Sequence, residues 1–123
     1  MLEKTAFENL QVYRLAEQLS DLSWQIVQRW EFFEKDTIGK QLVRSADSVG
    51  ANIAEGSGRG SAKDNSRFAK IARGSLFEVK HWLRRAYKQK LISDSEVNEF
   101  QETLNVLTPK LSAYINFLSK KSK

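Results

Sequence analysis

The chain has no cysteine, one histidine, one proline and six glycines among its 123 residues. Lack of cysteine excludes a disulfide framework, a thiolate zinc site and a thiol nucleophile. A single histidine, His81, excludes a multi-histidine metal centre, and any histidine general base would have to be this residue. So little proline and glycine leaves few turns for a many-stranded β protein. No apolar run approaches the ~18 residues that cross a bilayer. Met1 to Leu10 lacks the basic start and apolar stretch of a secretory signal, so a cytoplasmic protein that avoids membranes is expected. The length suits one domain over residues 1–123, and 41% hydrophobic with 28% charged residues is a globular balance.

Charge is unevenly spread. The chain is +5 overall, from twenty basic and fifteen acidic residues. Residues 1–34 carry three basic and six acidic groups, residues 35–90 thirteen and five, and residues 91–123 four of each. The positive excess therefore lies mid-chain, which suits a polyanionic partner or serves solubility alone.

Apolar residues recur every three to four positions, the period of amphipathic helices. The first stripe is Val12, Leu15/Ala16, Leu19, Leu22/Ser23, Ile26/Val27 and Trp30, with Asn9 as its N-cap. The rhythm breaks over Glu31 to Asp36 and resumes at Leu42, Ala46, Val49 and Ile53. It ends in the flexible run Gly56-Ser57-Gly58-Arg59-Gly60. Ser61-Ala62-Lys63-Asp64 opens a third helix with a capping-box-like start, and its stripe runs Phe68, Ile71/Ala72, Ser75/Leu76, Val79, Trp82/Leu83, Ala86/Tyr87. Ser93-Asp94-Ser95-Glu96 caps a fourth, whose seam is Val97, Phe100, Leu104, Leu107, Leu111, Tyr114 and Leu118. Pro109 should kink it, and the tail Lys120 to Lys123 should fray. Helices are thus expected at about 9–30, 36–56, 62–90 and 94–120. They pack most simply as an all-α, antiparallel up-down four-helix bundle.

Two constellations stand out. The second helix carries a polar row, Gln41, Ser45, Ser48, Asn52 and Glu55, beside its apolar stripe. It reads either as a hydrogen-bond network to a neighbouring helix or as a boundary row touching water. Ser48 and Asn52 are expected to be buried and paired across helices. On the third helix, with Phe68 at 0°, Lys63, Arg67, Lys70, Arg73, Lys80, Arg84, Arg85 and Lys88 fall between about 120° and 260°. Phe77 and His81 share that sector. Cations interleaved with an aromatic ring suit phosphates and an unstacked base, whereas a solvated face with Phe77 in an oligomer contact is the plainer alternative. Arg59 lies in the preceding glycine loop, where backbone amides at a helix start could hold a phosphate. That loop lacks the Lys-Ser/Thr of a nucleotide P-loop and follows no strand, so a flexible turn is the simpler reading. No nucleophile–base set, carboxylate pair or cofactor motif is present in the sequence.

The run Gln41-Leu42-Val43-Arg44-Ser45-Ala46-Asp47-Ser48-Val49, then Asn52-Ile53-Ala54-Glu55-Gly56-Ser57-Gly58-Arg59, and later Phe68, Ile71-Ala72-Arg73-Gly74-Ser75-Leu76 and Glu78, resembles a known family. These are the four-helix-bundle proteins encoded in intervening sequences of bacterial large-subunit ribosomal RNA genes. Ser45 stands where alanine is common, Val49 where isoleucine is, and Trp30-Glu31 where many members have Phe-Pro. The resemblance implies a ring-like homo-oligomer, with a pentamer as the expected number. It extends to the accessory variability proteins of diversity-generating retroelements, which are basic pentamers binding a reverse transcriptase and nucleic acid. The leading expectation is a non-enzymatic oligomer whose basic face contacts RNA or DNA. The alternative is a scaffold oligomer whose cationic surface meets an acidic protein.

Overall fold

The computed structural model describes residues 1–122. Four long helices carry the fold: α1 (Gln11–Val27), α2 (Lys40–Ser57), α3 (Ala62–Lys88) and α4 (Asp94–Lys121). Each packs on its sequence neighbours, and α1 also packs on α4, so the ring of helices closes around one core. Among the described residues there is no strand. The expected four-helix bundle is what the chain forms, because four apolar stripes can be buried only against one another.

The starts of the helices are set by local hydrogen bonds. Ser61 Oγ accepts from the Asp64 N–H at the start of α3, while the Asp64 carboxylate turns to Arg67 instead of closing a full box. At α4 the box is complete: Ser93 Oγ accepts from Glu96 N–H, and the Glu96 carboxylate accepts from Ser93 N–H. The second Glu96 oxygen also accepts from Arg29 at 2.9 Å, tying this start to the end of α1. Asn9 is not the cap of α1. Glu8 instead accepts from the backbone and hydroxyl of Thr5, folding Ala6–Asn9 into a 3-10 turn, and α1 begins after Leu10.

The first connection also differs from expectation. The chain is helical again from Phe32, through a turn at Phe32–Glu34 and a π-helical stretch at Lys35–Gly39 that runs straight into α2. Gly39 is pressed against the end of α1, where a Cβ would lie 2.6 Å from Val27 Cγ1. At the far end, α4 runs on through Pro109 and keeps Lys120 and Lys121 helical where fraying was expected; Lys123 lies outside the described residues.

The core centres on Phe100, Leu19, Ile26, Leu42, Ile53, Leu76, Leu107 and Leu111, all essentially inaccessible to water. Removing a leucine side chain from water is worth about 1.5–3 kcal/mol, so each of these large side chains contributes substantially to the driving force. The seam of α3 departs from the sequence reading. Its buried residues are Ser66, Ala69, Ala72, Leu76, Val79, Leu83 and Ala86, while Ile71 and Tyr87 are exposed and Phe68 is half-buried. The inward direction is turned by about 40° from the expected stripe. On α4, Ile115 is buried and Tyr114, expected on the seam, is half-buried.

Candidate nucleic-acid interface

The rotation of α3 sorts its cations into two groups. Lys63, Arg67, Lys70, Arg84, Arg85 and Lys88 are exposed, whereas Arg73 and Lys80 are half-buried on the flank toward α4. Two of the ten residues of interest are engaged by acids: Arg59 with Glu55 at 3.7 Å and Arg67 with Asp64 at 3.6 Å. Both guanidinium groups also lie over the Phe68 ring, at 4.9 and 4.6 Å. Among the described residues, Lys63, Lys70, Arg73, Lys80, Arg84, Arg85 and Lys88 form no ion pair. Lys63 and Lys88 are about 38 Å apart along a helix rising 1.5 Å per residue. Phe77 is 57% exposed among these charges, and the Lys80 ammonium lies 4.7 Å above its ring. Such an edge offers phosphates several uncompensated charges and offers a base one ring face.

The polar row of α2 is only partly a cross-helix network. Ser48 Oγ meets Ser75 Oγ of α3 at 2.8 Å. Asn52 donates its amide to the Ser48 carbonyl at 2.8 Å and to Ser48 Oγ at 3.0 Å. Because that carbonyl can only accept, the NH2 end of Asn52 must face it. Ser48 Oγ, already accepting there, is left free to donate to Ser75. Ser48 and Asn52 are half-buried rather than sealed, and Asn52 reaches no neighbouring helix because its amide is spent on its own. Ser45 is buried but donates to the Gln41 and Leu42 carbonyls of its own helix, Gln41 is half-buried, and Glu55 is solvent-exposed beside Arg59. The row therefore fixes how α3 lies on α2, through Ser48 and Ser75.

A groove of about 450 Å³ opens between the C-terminal part of α3 and the start of α4. Lys80 and Arg84 stand on one side of it, Asn98 and Gln101 on the other. At its end the Tyr87 hydroxyl donates to Asp94 at 3.0 Å. That bond, helped by the Asp94 charge, pushes the Tyr87 phenol above its ordinary pKa. The sequence reading missed Asn98 and Gln101. Their signal was an amide row, Asn98, Gln101 and Asn105, at steps of three and four beside the α4 seam.

The family model for 23S rRNA-intervening sequence proteins matches residues 8–113. The chain belongs to that family. A crystal structure of a protein of unknown function from the S23 ribosomal protein family of Bacteroides thetaiotaomicron has the same fold, with a TM-score of 0.74. The two are 20% identical, and the similarity covers 85% of this chain and 97% of the other. No curated protein matches the chain.

The matched span of this intervening-sequence family member contains every residue of the basic edge, the polar row and the groove. The helix start at Ser61 bears no P-loop. Gly60 takes φ +89°, Gly58 ends α2, and the run simply reverses the chain. His81 is exposed, edge-on to Trp82 at 4.7 Å between centroids. No group of three or more His, Cys, Asp or Glu fit to hold a metal occurs among the described residues. No helix among them is long and apolar enough to cross a membrane.

Proposed function

We propose that this member of the 23S rRNA-intervening sequence family is a non-enzymatic, homo-oligomeric bundle that binds RNA or DNA through the phosphates along α3. The observation that carries the reading is the set of seven cations on that helix with no acidic partner among the described residues. A face meant only to be solvated gains nothing from excluding acids, whereas a phosphate-binding one does. Self-association is supported by Trp24, Phe32 and Phe33, which remain 57–79% exposed on and after α1. Repetition around a closed ring would multiply the cationic edge, and five copies is the number proposed. The chain itself would carry out no reaction; its role would be accessory to a separate nucleic-acid enzyme such as a reverse transcriptase.

The test is a gel shift with unrelated RNA and DNA from low to physiological salt. Four phosphate contacts give a slope of log affinity against log salt of about −3, with little dependence on base sequence. Reversing Lys63, Lys70 and Arg84 to glutamate should abolish binding without lowering the melting temperature, since all three are exposed and unpaired and none lies in the last turn of α3. No retardation of any nucleic acid by the parent would reject the reading in favour of an acidic protein partner. Light scattering showing a monomer at micromolar concentration would reject the oligomer.

A further inference from the structure

The geometry points to the groove between α3 and α4 as a pocket for one unstacked nucleotide of a single strand, its base on the apolar floor and its phosphate on Arg84 and Lys80. This rests on the phosphate-binding reading above and adds a site to it. The floor is Leu83, Ile92, Phe100 and Leu104, side chains that belong to the core and show the groove only their outer surface. A volume of about 450 Å³ lies in the range of small-ligand pockets and is ample for a base with its sugar.

The rim is what distinguishes this groove from an apolar gap. Its two cations have no ion pair among the described residues. Its acid, Asp94, already accepts from Tyr87, and the bond fixes the Tyr87 ring at the groove end. Asn98 and Gln101 lie across from the cations on the exposed side of α4. An amide both donates and accepts, so the pair can meet the edge of any base without selecting one. Gln101 gives its NH2 to Asn105 Oδ1 at 2.7 Å, which leaves its carbonyl oxygen available to a base amino group. Phe77 is one helical turn before Lys80 and can stack the preceding base, so ring, cations and groove follow one line along the α3 edge. A duplex cannot enter such a groove unless a base leaves its stack, so single strands should be favoured.

Fluorescence anisotropy with a labelled 20-nucleotide single strand and its duplex tests the assignment. Asn98→Asp with Gln101→Glu places two isosteric carboxylates on the groove rim. Gln18→Glu with Asn116→Asp adds the same charge to exposed positions outside the groove, on α1 and on the far part of α4. The rim pair should weaken single-strand binding tenfold or more, the control pair by about threefold or less, and duplex binding should respond equally to both. Equal loss for the two pairs on the single strand would overturn the groove while leaving phosphate binding by α3 intact. A parent that binds neither strand form would overturn both. Displacement of the strand by micromolar free mononucleotide would overturn the assignment to a strand and make the groove a small-molecule site.

Discussion

Two glycines of α2 should respond to the same substitution with opposite signs. At Gly56 an added Cβ would lie 2.7 Å from Asn65 Oδ1, 2.9 Å from Phe68 Cβ and 3.1 Å from the Asn65 carbonyl oxygen. The Asn65 side chain can swing away, since its bond from the Tyr114 hydroxyl is a long 3.5 Å. Phe68 Cβ and the carbonyl cannot move without shifting the start of α3. Overpacking of this kind costs about 1–3 kcal/mol, and the gain in helix propensity returns at most about 0.5–1 kcal/mol. The middles of the two ranges leave Gly56→Ala a net loss of about 1 kcal/mol. Gly50 is the control: its Cβ would meet Ala16 Cβ and Tyr13 at 3.6 Å, an ordinary contact, so Gly50→Ala should gain about 0.5–1 kcal/mol. At this chain length 1 kcal/mol moves the melting temperature by about 3–5 °C. Thermal and urea unfolding at one fixed protomer concentration would measure both, because self-association makes melting depend on concentration. Gly56→Ala melting at or above the parent would refute the view that the α2–α3 joint is held by backbone approach.

Other expectations follow from single features. Lys90 takes φ +62° as the residue closing α3, with Lys90 N–H bonded to the Tyr87 carbonyl and Leu91 N–H to that of Ala86. Lys90→Gly should therefore gain up to about 1 kcal/mol by urea unfolding, and no gain would mean the left-handed backbone is unstrained. Ser48→Ala and Ser75→Ala should each cost about 1 kcal/mol, but together less than the sum, because the double variant leaves no hydroxyl orphaned; strict additivity in the cycle would deny the bond. Tyr87 should titrate above its ordinary value near 10 by ultraviolet absorbance, and Asp94→Ala should bring it down. Since the folded pKa is raised, the stability this bond adds is complete below pH ~10 and fades as pH climbs through the folded value.

Helix number, order and approximate ends were legible because each stripe is long and sustained, and Leu42, Ala46, Val49 and Ile53 are buried as their spacing implies. The rotation of α3 was not. Four of its seven buried positions carry small side chains, Ser66, Ala69, Ala72 and Ala86, beside Leu76, Val79 and Leu83. The bulkier Phe68, Ile71 and Tyr87 lie off the buried face, so a reading weighted by side-chain size turns the helix the wrong way. Small residues were chosen by proximity: α3 lies so close to α2 that Gly56 touches Asn65 and Phe68, and alanine is what fits. The groove was illegible for a related reason. It exists only where Lys80 and Arg84 come to face Asn98 and Gln101 across two helices, and periodicity within one helix carries no information about that pairing.

Gly74 bears on what the basic helix is for. It sits in the middle of α3, exposed, and a Cβ there would meet nothing within 4 Å. A glycine inside a helix costs about 0.5–1 kcal/mol relative to alanine, and nothing within the bundle compensates for it. Unpaired cations on the same helix likewise repel one another without any internal return. Both features weaken the isolated chain, and both favour close approach by something outside it: one by baring the backbone, the other by offering charge. Lys70 lies one turn before Gly74 and Phe77 one turn after, so a chain resting on the bare backbone would touch both. On the phosphate-binding reading proposed above, a side chain at position 74 or acids set among these cations would stand in the way of that contact. The local rules of helix stability are broken together at one place on the surface, where contact with a polyanion would draw on each departure at once.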